Sequence, residues 1–228
     1  MGFVEFFDGI IRFFTIAFTN LPKFVPAIIM TLELSIFSII FGTVLGVIVN
    51  LLKMAKFRPA GLLADLYVSV IRGTPLLLQL FFIFYGLPQM GIYLDRYLSA
   101  VLGLALHNGA YISEIFRGSI QAIPRGQNEA AKAIGMTKVQ AFRHVIFPQA
   151  FKNAVPALGN QFILAIKDSS LTSAITITET MMLARQLAAA TYSIFPIYFD
   201  AAIIYMILTY SLSILLKKLE KRLKVNER

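Results

Sequence analysis

The chain has 228 residues, 57% of them hydrophobic and only 14% charged, with a mean hydropathy of +0.73. A soluble domain carries roughly 25% charged residues, so this is the composition of a membrane protein. With no cysteine and two histidines, His107 and His144, disulfide frameworks and thiolate metal sites are excluded and an imidazole metal site is unsupported.

The opening stretch FVEFFDGIIRFFTIAFT is interrupted by Glu5, Asp8 and Arg12 and lacks the basic start and small-residue cleavage site of a signal peptide. It predicts an amphipathic helix lying at the interface over residues 1–22. Five later stretches reach the roughly 20 helical residues that a bilayer core requires. They cover 26–52, 61–87, 97–118, 148–172 and 195–217, one of them polar in places. No polar linker, low-complexity tract or internal repeat divides them. The expectation is an all-α membrane protein of one domain, 1–228, with about five transmembrane helices. Gly42 and Gly46 in the first span have the small-xxx-small spacing that lets helices approach closely, here taken as packing within one subunit. Prolines 75, 88, 148 and 156 fall in or at the ends of spans, where they release backbone carbonyls that need other partners.

Five crossings place the termini on opposite sides. On one side fall three basic residues in 53–58, six in 117–152 and six in 217–228; the other side holds only Arg12, Lys23, Arg96, Lys167 and Arg185, with Arg72 inside a span. Basic loops mark the cytoplasm, so the carboxyl terminus is expected inside and the amino terminus outside. The tail KKLEKRLKVNER, with 218–228 beyond the last span, reads as this topological signal and a contact for anionic lipid. That accounts for the net charge of +9 without nucleic acid.

Residues 121–147 form the longest connection on the cytoplasmic side. Pro124 suits a helix start, EAAKAI consists of good helix formers, and Gly135 can take the left-handed conformation that ends a helix. Thr137 and Gln140 then have the spacing of a capping box. The resulting elbow is expected to expose a small-residue face of Ala130, Ala131 and Ala133, with Glu129 free to pair. A second protein's cleft could cover that face, or the loop could rest on lipid headgroups.

An ionisable group inside a bilayer costs about 2.5–3.5 kcal/mol on insertion scales, so each calls for a partner or a wet path. His107, Tyr111 and Glu114 form one stripe of the third span, with Asn108 beside it. The fourth span adds Asn153, Asn160, Gln161, Lys167, Asp168, Ser169 and Ser170, and Asp200 sits in the fifth among apolar neighbours. A free amino acid needs acceptors for its ammonium and donors for its carboxylate. Glu114 could take the ammonium; Lys167, Asn108, Gln161 or Ser170 the carboxylate; and Asp200 could supply the additional anion a basic cargo requires. Against this, Glu114 can pair with Arg72, Lys167 with Asp168, and His107 can be a packing residue. At 1.5 Å per residue Glu114 lies about 25 Å below the outer end of its span and Asp200 about 8 Å, so one small ligand reaches both only if the helices are displaced. The outer segment SAITITETMMLARQLAAAT is expected to be an interfacial helix.

The run GQNEAAKAIGMTKVQAFRHVIFPQA, Gly126 to Ala150, resembles the EAA loop of membrane subunits of ABC importers. Glu129-Ala130-Ala131, Gly135 and Val145-Ile146-Phe147-Pro148 match its spacing, with Val145 and Phe147 apolar departures. RGTPLLLQLFFIFYGLP, GAYISEIFRGSIQAIPRGQ and KDSSLTSAI are similar to the subfamily that imports polar amino acids. The resemblance implies that Arg125, Gly126, Glu129, Ala130, Ala131 and Gly135 belong to a coupling helix that docks on an ATP-hydrolysing subunit. It also implies a soluble binding protein outside and a location in the bacterial inner membrane. The chain has no G-x-x-x-x-G-K-[ST] run, so ATP and magnesium are expected on the partner and no catalysis here. Five helices are too few to enclose a path, which implies a second permease subunit, identical or similar. An ion-gradient carrier using Asp200 and Glu114 is the alternative, although no repeated halves are visible.

Overall fold

The computed structural model describes residues 3–55 and 57–225, and every regular element among them is helical. Lys56 and the last three residues of the basic tail, both part of the topological signal above, lie outside the described residues, as do the side chains of Glu5 and Lys224.

Helix α1 (Phe3–Asn20) is the expected amphipathic segment, but it is not a separate piece. A 3-10 turn at Leu21–Phe24 carries it into α2 (Val25–Met54), with Pro22 and Pro26 each in a first turn where the missing N–H costs little. The apolar run Phe7–Met54 therefore spans 48 residues, about 72 Å at 1.5 Å per residue, against a hydrocarbon core of about 30 Å. The Phe13 ring anchors α1 against Phe195 and Phe199 of the last helix, at 5.1 and 5.2 Å.

The expected second span is bent rather than straight. Helices α3 (Arg58–Gly73) and α4 (Leu76–Phe81) meet at 109°. Proline drives the residue before it out of the helical region, and Thr74 is extended at φ −122°, ψ 148°. Gln79 reaches back across the break, donating to the carbonyls of Ile71 (2.7 Å) and Thr74 (3.1 Å). A wide π turn at Phe82–Gly86 leads into the short α5 (Leu87–Gln89), and another at Phe142–Ile146 leads into the helix that begins at Phe147. Each sits just ahead of a proline, Pro88 or Pro148, whose ring would crowd the carbonyl of a normal turn.

Helix α6 (Arg96–Gln121) starts at Asp95, whose carboxylate accepts from the Tyr97 and Leu98 amides. After α7 (Arg125–Ala133) and α8 (Lys138–Ala141), α9 (Phe147–Asp168) ends short of the expected 172, where a 3-10 stretch takes over at Ser169–Ile175. Within the segment expected on the outer side, Thr180–Thr191 forms α10, packed against α11 (Ile194–Val225), which runs past the expected 217 and makes the described part of the basic tail helical. By length and composition Phe7–Met54 and Ile194–Leu223 can cross a membrane, and the bent pair can count as a third span. Helices α6 and α9 have the length but are diluted by polar side chains; Ser99, Asn108, Ser113 and Gln161 are buried against neighbours, whereas Asn153 and Asn160 are exposed.

Lipid tails are as apolar as leucine, so helices in a bilayer associate through close packing and interhelical hydrogen bonds rather than through the hydrophobic effect. Helices α2 and α6 show both. A Cβ on Gly42 would lie 2.8 Å from the Asn108 Cβ, and one on Gly46 2.8 Å from Ile112 Cγ2. The small-residue spacing of the first span is thus used inside the subunit, as expected.

Candidate functional site

The elbow is built by local chemistry. Gly135 adopts φ +83° and closes α7: its own N–H donates to the Lys132 carbonyl (2.9 Å) and the Met136 N–H to the Ala131 carbonyl (3.0 Å), a Schellman ending. The next helix opens on the expected capping box, in which the Thr137 N–H donates to Gln140 Oε1 (2.9 Å) and the Gln140 N–H to Thr137 Oγ1 (3.3 Å). At 100° per residue, α7 divides into three sides. Gly126, Glu129, Ala130 and Ala133 make one contiguous exposed arc. Ala131 is 3% exposed and packs inward, which corrects its expected place on the outer face; Gln127 beside it meets Gln149 at 3.3 Å. Arg125, Asn128 and Lys132 turn to the third side, a groove of about 1140 Å³ that they share with Lys138, Met54, Ile120 and Phe142. Arg125 therefore does not share the arc of Glu129.

The second element is a buried polar seam along one face of α2. The Thr31 hydroxyl meets that of Thr180 at 2.9 Å and Ser35 Oγ donates to the Ala165 carbonyl at 3.4 Å. Gln161 Nε2 donates to Asn108 Oδ1 (2.9 Å), while Asn108 Nδ2 donates to the Leu104 carbonyl (2.9 Å) and Ser38 Oγ (3.3 Å). Two of the candidate substrate residues, Asn108 and Gln161, are thus brought together and joined to each other, tying α2, α6 and α9. The seam continues at Glu179, which is fully buried, caps α10 through the Met181 and Met182 amides, and accepts from the Tyr205 hydroxyl at 2.6 Å. Sequence reasoning missed Glu179; a Glu followed by the helix formers of TMMLARQLAAAT was the available signal.

Other candidates are placed elsewhere. Lys167 is exposed, and the Ser170 hydroxyl donates back to the Lys167 carbonyl at 2.6 Å, bonding its own helix end. Asp200 is 4% exposed on α11, and its Oδ2 has no hydrogen-bond partner among the described residues. No hydrogen bond joins it to the Asn108–Gln161 pair.

Glu114, expected to face either Arg72 or cargo, is held by three cations of its own chain. Its carboxylate lies 2.9 Å from Lys53 Nζ, 2.6 Å from Arg117 Nη2 and 3.5 Å from Arg72 Nη1, and Lys53 also meets Asp65 at 2.9 Å. The rest of its stripe faces the same bent pair. The Arg72 guanidinium sits over the Tyr111 ring (5.3 Å), and His107, 4.9 Å from Tyr111, meets Gln79 Oε1 at 3.2 Å. The polar stripe of α6 thus faces protein; Lys53, 61 residues away in sequence, carried no local signal.

Residues 42–225 match the family described as "Binding-protein-dependent transport system inner membrane component". The arginine transport system permease protein ArtQ of Bacillus subtilis (strain 168) is 39% identical over 215 residues, which is 94% of this chain and 98% of that protein. The L-cystine transport system permease protein TcyB of the same organism is 46% identical over 203 residues, 89% of this chain and 87% of TcyB. The fold matches a crystal structure described as an amino acid ABC transporter with histidines at a TM-score of 0.86 and 39% identity, covering 97% of this chain and 99% of that one.

Proposed function

The chain belongs to the family of binding-protein-dependent transport system inner membrane components, the permeases of ABC transporters, and from that we propose that it is the membrane subunit of an ATP-driven importer of polar amino acids. Family membership favours this over the ion-gradient carrier. The cargo class rests on relatives named for arginine and L-cystine transport.

The observation that carries the mechanism is the exposed arc of α7. Gly126, Ala130 and Ala133 give it little side-chain bulk, Glu129 gives it one charge, and an added Cβ at Gly126 meets nothing within 4 Å in this chain. A partner cleft can therefore approach the backbone closely. The partner is an ATPase subunit holding ATP and magnesium, and its closure would move α7. Because α7 follows α6 after three residues, and α6 is tied to α2 through Glu114 and Lys53, the motion passes to α6 and α2 together.

The path itself lies between this chain and a second permease subunit, with a soluble binding protein delivering cargo on the opposite face. The elbow and basic tail face the cytoplasm, and the amino terminus faces outward. Asp200 supports a basic cargo: a buried carboxylate with an unpartnered oxygen on a spanning helix is an acceptor waiting for a cation. Asn108 and Gln161 would orient cargo from the seam, and Lys167 and Ser170 would act at its outer end.

Reconstituted vesicles test the reading. Uptake that requires ATP inside and a co-purifying ATPase supports it; uptake driven by an imposed ion gradient without nucleotide overturns it.

A further inference from the structure

We propose that the groove on the side of α7 that carries Arg125, Asn128 and Lys132 binds the headgroup of an anionic phospholipid, with an acyl chain laid along α9. Arg125 and Lys132 of α7 and Lys138 of α8 line the groove, and no carboxylate does. None of the three forms an ion pair among the described residues, so the groove presents uncompensated positive charge. Asn128 and Gln121 add hydrogen-bond donors to the same wall.

The floor has a different chemistry. Met54, at the end of the long apolar run, lies beside Ile120 and Phe142. From Phe142 an aromatic ladder leads onto α9, with Phe147 at 6.1 Å and Phe151 a further 6.0 Å on. Phe147 and Phe151 are both half-exposed. Cations at one end and a track of apolar rings running onto a long helix complement a phosphate joined to an acyl chain. A soluble anion would leave the floor and the ladder unused, and at about 1140 Å³ the groove is larger than a single small ion needs.

The docking arc and the groove lie on adjacent sides of one helix, with Arg125 and Glu129 at their shared edge. A lipid in the groove would therefore support α7 from the side while a protein covers Gly126, Glu129, Ala130 and Ala133. The proposal rests on the cytoplasmic placement of the elbow, where the leaflet is anionic.

The test uses the full chain in mild detergent with phosphatidylglycerol and phosphatidylcholine supplied together, and native mass spectrometry to count the lipids retained. The chain should retain phosphatidylglycerol in preference by about tenfold, the scale expected when several basic side chains meet an anionic headgroup. In R125Q/K132Q/K138Q the preference should vanish, whereas K217Q/K218Q/K221Q in the tail should keep it. Phe147→Ser, which changes no charge, should lower retention of the lipid several-fold and serves if the triple variant fails to fold. Equal retention of the two lipids by the unaltered chain overturns the proposal and marks the groove as a crevice that protein covers. So does loss of preference in the tail variant equal to that in the groove variant. Retention is read without ATP or cargo, so its failure leaves the importer reading untouched, and a failure of ATP-driven uptake leaves this one untouched.

Discussion

Lys53 Nζ and Glu114 Oε1 lie 2.9 Å apart, joining the last turn of α2 to α6 about two turns before α6 ends ahead of the elbow. Both side chains are largely shielded, at 13% and 17% exposure, so the pair is better protected from screening than a surface contact. With Asp65, Arg72 and Arg117 it forms a hub where three helices meet.

Removing the carboxylate leaves three cations facing one another. Glu114→Gln should lower stability by about 2–3 kcal/mol, read by chemical unfolding in detergent, while the KM for cargo stays within about twofold. A KM raised tenfold with unaltered stability would return Glu114 to the cargo.

The α2–α6 contact should tolerate no added volume. Gly46→Ala puts a methyl group 2.8 Å from Ile112 Cγ2 and 3.0 Å from the Gly109 carbonyl, and should cost about 1–3 kcal/mol. Gly118→Ala, on the same helix pair but with nothing within 4 Å, should be neutral or stabilise by up to about 1 kcal/mol. Thermal melting of the two variants side by side checks the contrast.

On α7, folding and coupling should separate. A Cβ at Gly126 meets nothing within 4 Å in this chain and the position is exposed, so Gly126→Leu should not destabilise it, yet should reduce ATP-driven uptake more than about tenfold if a partner cleft covers the arc. Glu129→Ala should do the same with normal membrane insertion. Gly135→Ala should also lose about 1–2 kcal/mol locally, because φ +83° is strained for any residue with a Cβ. Unchanged uptake in all three variants would remove the docking role.

Asp200→Asn should weaken uptake of arginine or lysine about tenfold or more and leave glutamine nearly unaffected, since a charge-assisted hydrogen bond contributes about 1.5–3 kcal/mol. In the absence of cargo the same variant should be at least as stable as the parent, because it removes a buried carboxylate with an unpartnered oxygen. Equal loss for basic and neutral cargo would end the argument for charge selection.

The elbow was legible because each of its devices acts within six residues: the capping box spans Thr137 to Gln140, and the Schellman closure spans Ala131 to Met136. The first and last spans were legible because contact with lipid selects apolar residues along their whole length. The bend at Thr74 carried a signal in Pro75 that hydropathy averaging concealed, since both arms are apolar. Proline requires the break, but only Gln79 folding back on Ile71 and Thr74 makes it tolerable within a membrane fold.

The sequence by itself determined an all-helical membrane chain, the sites of its elbow and caps, and its kinship to importer permeases, because these depend on composition and on neighbours along the chain. The tertiary structure alone decided what the polar residues of the spans do. Asn108 holds Gln161, Glu114 holds Lys53, and Asp200 keeps an oxygen without a hydrogen-bond partner among the described residues. Spacing on a helix states which side chains share a face; the face opposite comes from residues 53 or 61 positions away, and only packing brings them within hydrogen-bond reach.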